Sequence, residues 1–114
     1  MYDNILYEVD GPMGLITINR PEKHNAISLA TLDELQAAVR EADRDDVVRV
    51  VTITGTGGRA FASGSDLAEV VDRDFSKALE PIVQGLADQL ERMPKPVIAA
   101  IDGICMGGGL EVAL

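Results

Sequence analysis

The chain has 114 residues, 46% of them hydrophobic and 4% aromatic, with no Trp and a formal charge of −9. That length suits one modest domain, and the apolar share excludes a disordered chain. The acidic excess argues against nucleic acid, where clustered Lys and Arg must neutralise phosphates, and against an anionic membrane surface; a locally basic loop can still take a small anionic ligand. The lone cysteine, Cys105, excludes an internal disulfide and, among glycine and apolar neighbours, reads as a buried, inert thiol. Met1-Tyr2-Asp3-Asn4 lacks the basic and apolar regions of a secretory signal. The longest aliphatic run, Val97 to Ile101, is far short of a membrane span, so the expected location is the cytoplasm.

Asn4 to Val9 and Met13 to Asn19 are strand-like runs around Asp10-Gly11-Pro12, the pattern of a hairpin. Arg20 to Asn25 breaks the alternation and reads as a loop. A helix is predicted from about Ser28 to Asp43, because Leu32, Leu35, Val39 and Ala42 fall on one stripe. Either Ser28 or Thr31 can cap it, Thr31 with Glu34 matching a capping box. Val47 to Thr54 is β-branched throughout much of its length, as expected of a strand buried on both faces. Gly55 to Gly64 is expected to be loop.

Helical spacing resumes in Asp66 to Asp72 and in Phe75 to Met93, with Pro81 marking a start or kink and Pro94-Lys95-Pro96 a stop. Val97 to Ile101 is predicted to be another buried strand, Gly103 to Gly109 a glycine-rich loop, and Gly109 onward the opening of a helix. Alternating strands and helices point to α/β layering. A helix that opens on glycines and has room for only one turn buries little, which predicts that the sequence is a piece of a longer chain.

Two glycine-rich loops each follow a strand. Gly55-Thr56-Gly57-Gly58-Arg59-Ala60 formally matches the dinucleotide fingerprint G-x-G-x-x-A. That motif requires a helix to open directly on it, whereas Phe61-Ala62-Ser63-Gly64 follows. The second loop has no Lys-Ser/Thr for a P-loop, and Ser63 and Ser65 make neither G-x-S-x-G nor a relay with Asp and His. His24, the only histidine, has no metal-ligand spacing around it and reads as surface. Both loops fit a different chemistry together. Glycines at strand ends let two backbone N–H groups approach one carbonyl oxygen unobstructed, which makes an oxyanion hole, and a helix starting at the second loop adds its positive end.

Asn19-Arg20-Pro21-Glu22-Lys23-His24-Asn25-Ala26, Ala60-Phe61-Ala62-Ser63-Gly64-Ser65-Asp66-Leu67, Pro96 to Gly103 and Gly107-Gly108-Gly109-Leu110-Glu111 resemble, in order and spacing, the crotonase superfamily of enoyl-CoA hydratases and isomerases. The resemblance covers essentially the whole chain. It implies a fold of crotonase-like ββα units, α/β in class, with residues 1–114 forming the N-terminal part of an acyl-CoA-binding core domain. It also implies an oxyanion hole made by the N–H groups of Ser65 and Gly108. Many relatives carry Ala at Ser65, a change that a backbone donor tolerates. Ser65, Asp66, Leu67 and Ala68 resemble the segment bordering the thioester and adenine end of coenzyme A, and Ala26, Ala62 and Gly108 are carried over as further substrate contacts. Ala68 stands where some members have a Lys, removing one phosphate contact. Arg20 and Lys23 are candidates for the CoA phosphates, with ordinary loop solvation an equal reading.

Taken alone, Glu111 is an acid in a first helical turn, complementing the dipole. By the resemblance it is the carboxylate that activates water, and apolar Leu110, Val112, Ala113 and Leu114 would raise its pKa toward the general acid/base range. The implied reaction adds water to a trans-2-enoyl-CoA to give a 3-hydroxyacyl-CoA, as in fatty-acid β-oxidation, with no cofactor beyond the CoA of the substrate and no metal. Hydratases of the family use a second Glu from a downstream segment, which no position here supplies. Enoyl-CoA isomerisation, dehalogenation, thioester hydrolysis and a catalytically incomplete, inactive chain are the alternatives. The resemblance further implies homotrimers or hexamers.

Overall fold

Gly11 and Pro12 join β1 (Ile5–Asp10) to β2 (Met13–Ile18) as a two-residue hairpin loop, with Asp10 opposite Met13 and Ile5 opposite Ile18. Gly11 takes a positive φ of 58°, and Pro12 is fixed at negative φ by its ring; that order of signs is the one that matches strand twist in tight hairpins. The computed structural model describes residues 2–63, 84–101, 103–105 and 113.

From β2 the chain enters a short 3₁₀ turn, Pro21–Lys23, and then α1 (Leu29–Arg44). Of the two capping residues open from sequence, Ser28 is the cap: its side chain accepts from the N–H of Thr31 at 3.1 Å. Glu34 does not close a capping box. It reaches the segment just before β1 instead, where its carboxylate accepts from the backbone N–H groups of Asp3 and Asn4 and from the Asn4 amide at 2.6 Å. The predicted stripe of Leu32, Leu35, Val39 and Ala42 is buried, joined by Thr31 and Ala38. At the far end Lys95 Nζ donates to the carbonyls of Ala42 (2.7 Å) and Asp45 (2.8 Å). A cation there meets both orphan carbonyls and the negative end of the helix.

α1 carries the chain across to β3 (Val50–Gly55), which pairs in parallel with β2 and, on its other side, with β5 (Val97–Ala99). The sheet order is β1-β2-β3-β5. One face presents Ile5, Ile16, Ile18, Val51 and Ile53 to α1, and Leu86 of α2 (Gln84–Arg92) joins that core. The opposite face is not covered by the described helices. Val50, Thr52 and Thr54 are only half-buried, so β3 is enclosed on one face rather than the expected two. β5 is shorter than predicted and lies at the end of this sheet, where Ile98 is 52% exposed and Ile101 51%.

The stretch expected to be loop contains β4 (Ala60–Ala62), and the predicted second glycine loop contains β6 (Ile104–Cys105). Of the predicted later helix, Gln84–Arg92 is described; Asp66 to Asp72, Pro81 and the helix opening at Gly109 lie outside the described residues, apart from Ala113, which packs on the core. Cys105 is half-buried, not enclosed, because it sits at the end of a two-residue strand.

Candidate active site

β4 and β6 pair in parallel, Ala60 opposite Ile104 and Ala62 opposite Cys105, with β4 bulged by one residue between them. Parallel pairing sends both chains out of the same end of the pair. From there one enters Gly64-Ser65 and the other Met106-Gly107-Gly108. The start of the pair is equally tight: the N–H of Ile104 donates to Arg59 O at 3.0 Å. Gly103 takes φ +103°, and a Cβ there would fall 2.1 Å from the same carbonyl oxygen. A strand, not a helix, thus follows the formal dinucleotide fingerprint at Gly55 to Ala60, which removes the helix end that a pyrophosphate would need.

The loop from Arg20 to Ala26 packs against β4. His24 and Asn25 take successive left-handed conformations, φ 52° and 56°, unfavourable for most residues and best tolerated by Asn. The turn is closed by Asn25 N–H to Arg20 O at 2.8 Å and by the Arg20 guanidinium, whose Nη1 donates to Ala26 O at 2.6 Å. Asn25 is fully enclosed. Its Oδ1 accepts from Arg20 N–H at 2.8 Å, and its Nδ2 donates to Thr56 O at 3.1 Å and Ala60 O at 2.7 Å. The His24 carbonyl accepts from Ser63 N–H at 3.2 Å.

Between this loop and the β3–β4 connection lies a cleft of about 150 Å³ lined by Pro21, His24, Asn25, Thr56, Gly57, Arg59 and Ala60. Exposed His24 and Arg59 edge it, and Lys23 stands exposed on the adjoining turn. In a chain of net charge −9, the two loops together carry the cations Arg20, Lys23 and Arg59 against a single acid, Glu22. That local reversal of sign suits a phosphate-bearing ligand. A larger hollow of about 380 Å³ beside β1 and α1 is lined by Tyr2, Tyr7, Glu8 and Glu41, a lining that would repel one.

Of the site residues expected from sequence, the structure brings together Arg20, Lys23, Ala26 and Ala62 around β4. Ala26 and Ala62 are buried, Lys23 is exposed, and Arg20 is half-buried with its guanidinium on the loop's own carbonyl. Ser65, Asp66, Leu67, Ala68, Gly108 and Glu111 lie outside the described residues. Sequence reasoning passed over Asn25 and Arg59. The signal for Arg59 is that it is the sole cation of its glycine loop; for Asn25, that Asn is the ordinary choice at a left-handed residue. Among the described residues no three of His, Cys, Asp and Glu are grouped to hold a metal, and no helix is long and apolar enough to cross a membrane.

Comparison with known proteins defines the class. The family model described as enoyl-CoA hydratase/isomerase matches residues 8–114. A crystal structure of an enoyl-CoA hydratase/isomerase from Xanthobacter autotrophicus Py2 superposes with a TM-score of 0.88 at 39% identity, over 100% of this chain and 44% of that one. An enoyl-CoA hydratase from Bacillus anthracis gives a TM-score of 0.90 at 35% identity, over 97% and 44%. The crotonyl-CoA hydratase of Syntrophomonas wolfei is 36% identical over 99% of this chain and 44% of its own length. The chain belongs to the enoyl-CoA hydratase/isomerase family and has the α/β crotonase fold of these relatives. It spans a little under half the length of the curated relatives it matches.

Proposed function

We propose that this chain carries the thioester-binding, enolate-stabilising part of an enoyl-CoA hydratase. The observation that supports it most is the register of β4 and β6. Ala62 and Cys105 are partners, and Ser65 and Gly108 each follow three residues later. Two chains that leave one end of a parallel pair, each through glycine, are well suited to bring two N–H donors to one oxygen.

In this reading the thioester oxygen of a trans-2-enoyl-CoA accepts from the N–H groups of Ser65 and Gly108. Negative charge develops on that oxygen as water adds at the β-carbon, and the two fixed donors stabilise the enolate. Glu111 orients the water and takes its proton. The proton taken up by Glu111 is then passed to the α-carbon, which restores the carboxylate and gives the 3-hydroxyacyl-CoA, a carbon–oxygen lyase reaction run in reverse. Coenzyme A enters as part of the substrate, and no separate cofactor is required. Arg59, His24, Lys23 and Arg20 form the basic surface that would meet its phosphates, while Ala26, Ala62, Asp66, Leu67 and Ala68 border the acyl-CoA. A cytoplasmic homotrimer or hexamer acting in fatty-acid β-oxidation is the setting that goes with this reading.

The test is hydration of crotonyl-CoA, followed as loss of the enoyl absorbance, in the wild type and in Glu111→Gln. General-base removal should lower kcat by about 10²–10⁴-fold while crotonyl-CoA still binds. If Glu111→Gln hydrates as fast as the wild type, the assignment of the base is wrong. Double-bond migration in place of hydration would identify the isomerase reaction instead.

A further inference from the structure

We propose that Asn25 is a positioning residue for the oxyanion donors, an inference that rests on the enolate-stabilising reading above. The buried Asn25 amide makes three hydrogen bonds, all to backbone, and they join three segments. Oδ1 holds the N–H of Arg20, just after β2, while the two Nδ2 hydrogens go to Thr56 O in the β3–β4 connection and Ala60 O at the start of β4.

The same dipeptide also holds the other end of β4, because the carbonyl of His24 accepts from Ser63 N–H. β4 is thus fixed at both ends by His24-Asn25, and Ser63 stands two residues before the proposed donor Ser65. The clamp has no slack. A Cβ on Gly55 would lie 2.7 Å from Asn25 Nδ2 and 2.5 Å from Ala60 O, so the end of β3 leaves no room for a side chain beside this bond. Oxyanion stabilisation depends on donors held within a few tenths of an ångström before reaction. A clamp at both ends of the strand that leads into the donor loop meets that demand.

Substitutions separate positioning from folding. Asn25→Gly keeps the left-handed backbone at no steric cost and removes the amide. Asn25→Asp keeps the acceptor for Arg20 N–H but turns a carboxylate toward the carbonyls of Thr56 and Ala60; on acidification the protonated acid regains one donor. The probe is a cinnamoyl thioester of CoA, whose conjugated carbonyl absorbs further to the red when polarised by hydrogen bonds.

The wild type should shift the bound thioester to the red. Asn25→Gly should bind it with little change in affinity and without the shift, and Asn25→Asp should lose the shift at neutral pH and recover part of it on acidification. Amide exchange at Ser63 should quicken by about tenfold, because loss of the Asn25 bonds, each worth about 1.4 kcal/mol, loosens the turn that holds its acceptor His24 O, against unchanged exchange in the β1–β2 hairpin. Variants that keep both the full shift and Ser63 protection overturn the inference alone. A uniform rise in exchange over both regions also overturns it, since Asn25 would then merely stabilise the fold. A wild type that binds the thioester with no shift overturns the enolate-stabilising reading itself.

Discussion

Between α1 and the four-stranded sheet, contact is made mainly by aliphatic side chains: Ile16, Ile18, Leu35, Val39, Val51 and Ile53 are all at most 1% exposed. Between the Arg20–Ala26 loop, the β3–β4 connection and β4, contact is made by Asn25, by main-chain carbonyls and by glycines that leave no room for a side chain. The first region draws its stability from apolar area, which is non-directional and tolerates repacking. The second depends on directed bonds and close backbone approach, where a single added carbon has nowhere to go. The scaffold and the site therefore differ in what they can absorb.

The largest effect should come from adding one methyl group on the site side. Gly103→Ala forces a Cβ against the Arg59 carbonyl at φ +103°. Backbone strain and overpacking combine there, on the order of 3–5 kcal/mol. Chemical denaturation and acyl-CoA binding should both register it, because the β4–β6 register must give way. A Gly103→Ala chain with wild-type stability and binding would show that this region yields as the core does.

Next comes the aliphatic side. Leu35→Ala opens a cavity under a fully buried position of α1 and should cost about 3 kcal/mol, whereas volume-conserving Leu35→Met should cost less than about 1.5 kcal/mol. The contrast between those two variants, read from denaturant midpoints, is the sharper test. Equal losses from both would mean that the core too demands exact shape.

The same division governs how much could be read from the sequence. The hairpin, α1 and its stripe, and β3 follow from local pattern: alternation around Gly11-Pro12, apolar residues at helical spacing, a β-branched run. What pattern missed was set by distant partners. β4 was hidden inside a glycine-rich stretch because its strand character comes from pairing with β6, more than forty residues along the chain. The length of β5, three residues within a longer aliphatic run, is likewise set by its pairing with β3. Glu34 fits a local capping box but is taken by the backbone and side chain of Asn4, thirty residues away. At the site, the ordered motifs singled out Arg20 and Lys23 as candidates on the loop that packs against β4. They did not single out Asn25, whose three backbone partners only the folded chain assembles.

The smallest effect tests a place where, among the described residues, the aliphatic side carries an unmet polar group. The ring of Tyr7 in β1 packs against the core, and its hydroxyl is enclosed with no hydrogen-bond partner. Burial, reinforced by the negative charges of Glu41 and Asp45 on the α1 side, pushes its ionisation above the ordinary phenol range. Tyr7→Phe removes the hydroxyl without breaking a bond, so stability at neutral pH should stay level or rise by up to about 1 kcal/mol. The alkaline limb carries the signature. Above about pH 10, where an unfolded tyrosine ionises, the native state still holds the Tyr7 proton, so unfolding releases protons and stability falls as pH rises through the raised pKa. Tyr7→Phe should flatten that fall. It should not abolish it, since Tyr2 is raised in the same direction by burial and by its 2.9 Å bond to Glu41. Tyr2→Phe, which does break a hydrogen bond, should instead lower stability slightly at neutral pH. A loss of 1 kcal/mol or more in Tyr7→Phe would mean that the hydroxyl is hydrogen-bonded in solution, and the contrast between an apolar scaffold and a polar site would then be less complete than the side chains suggest.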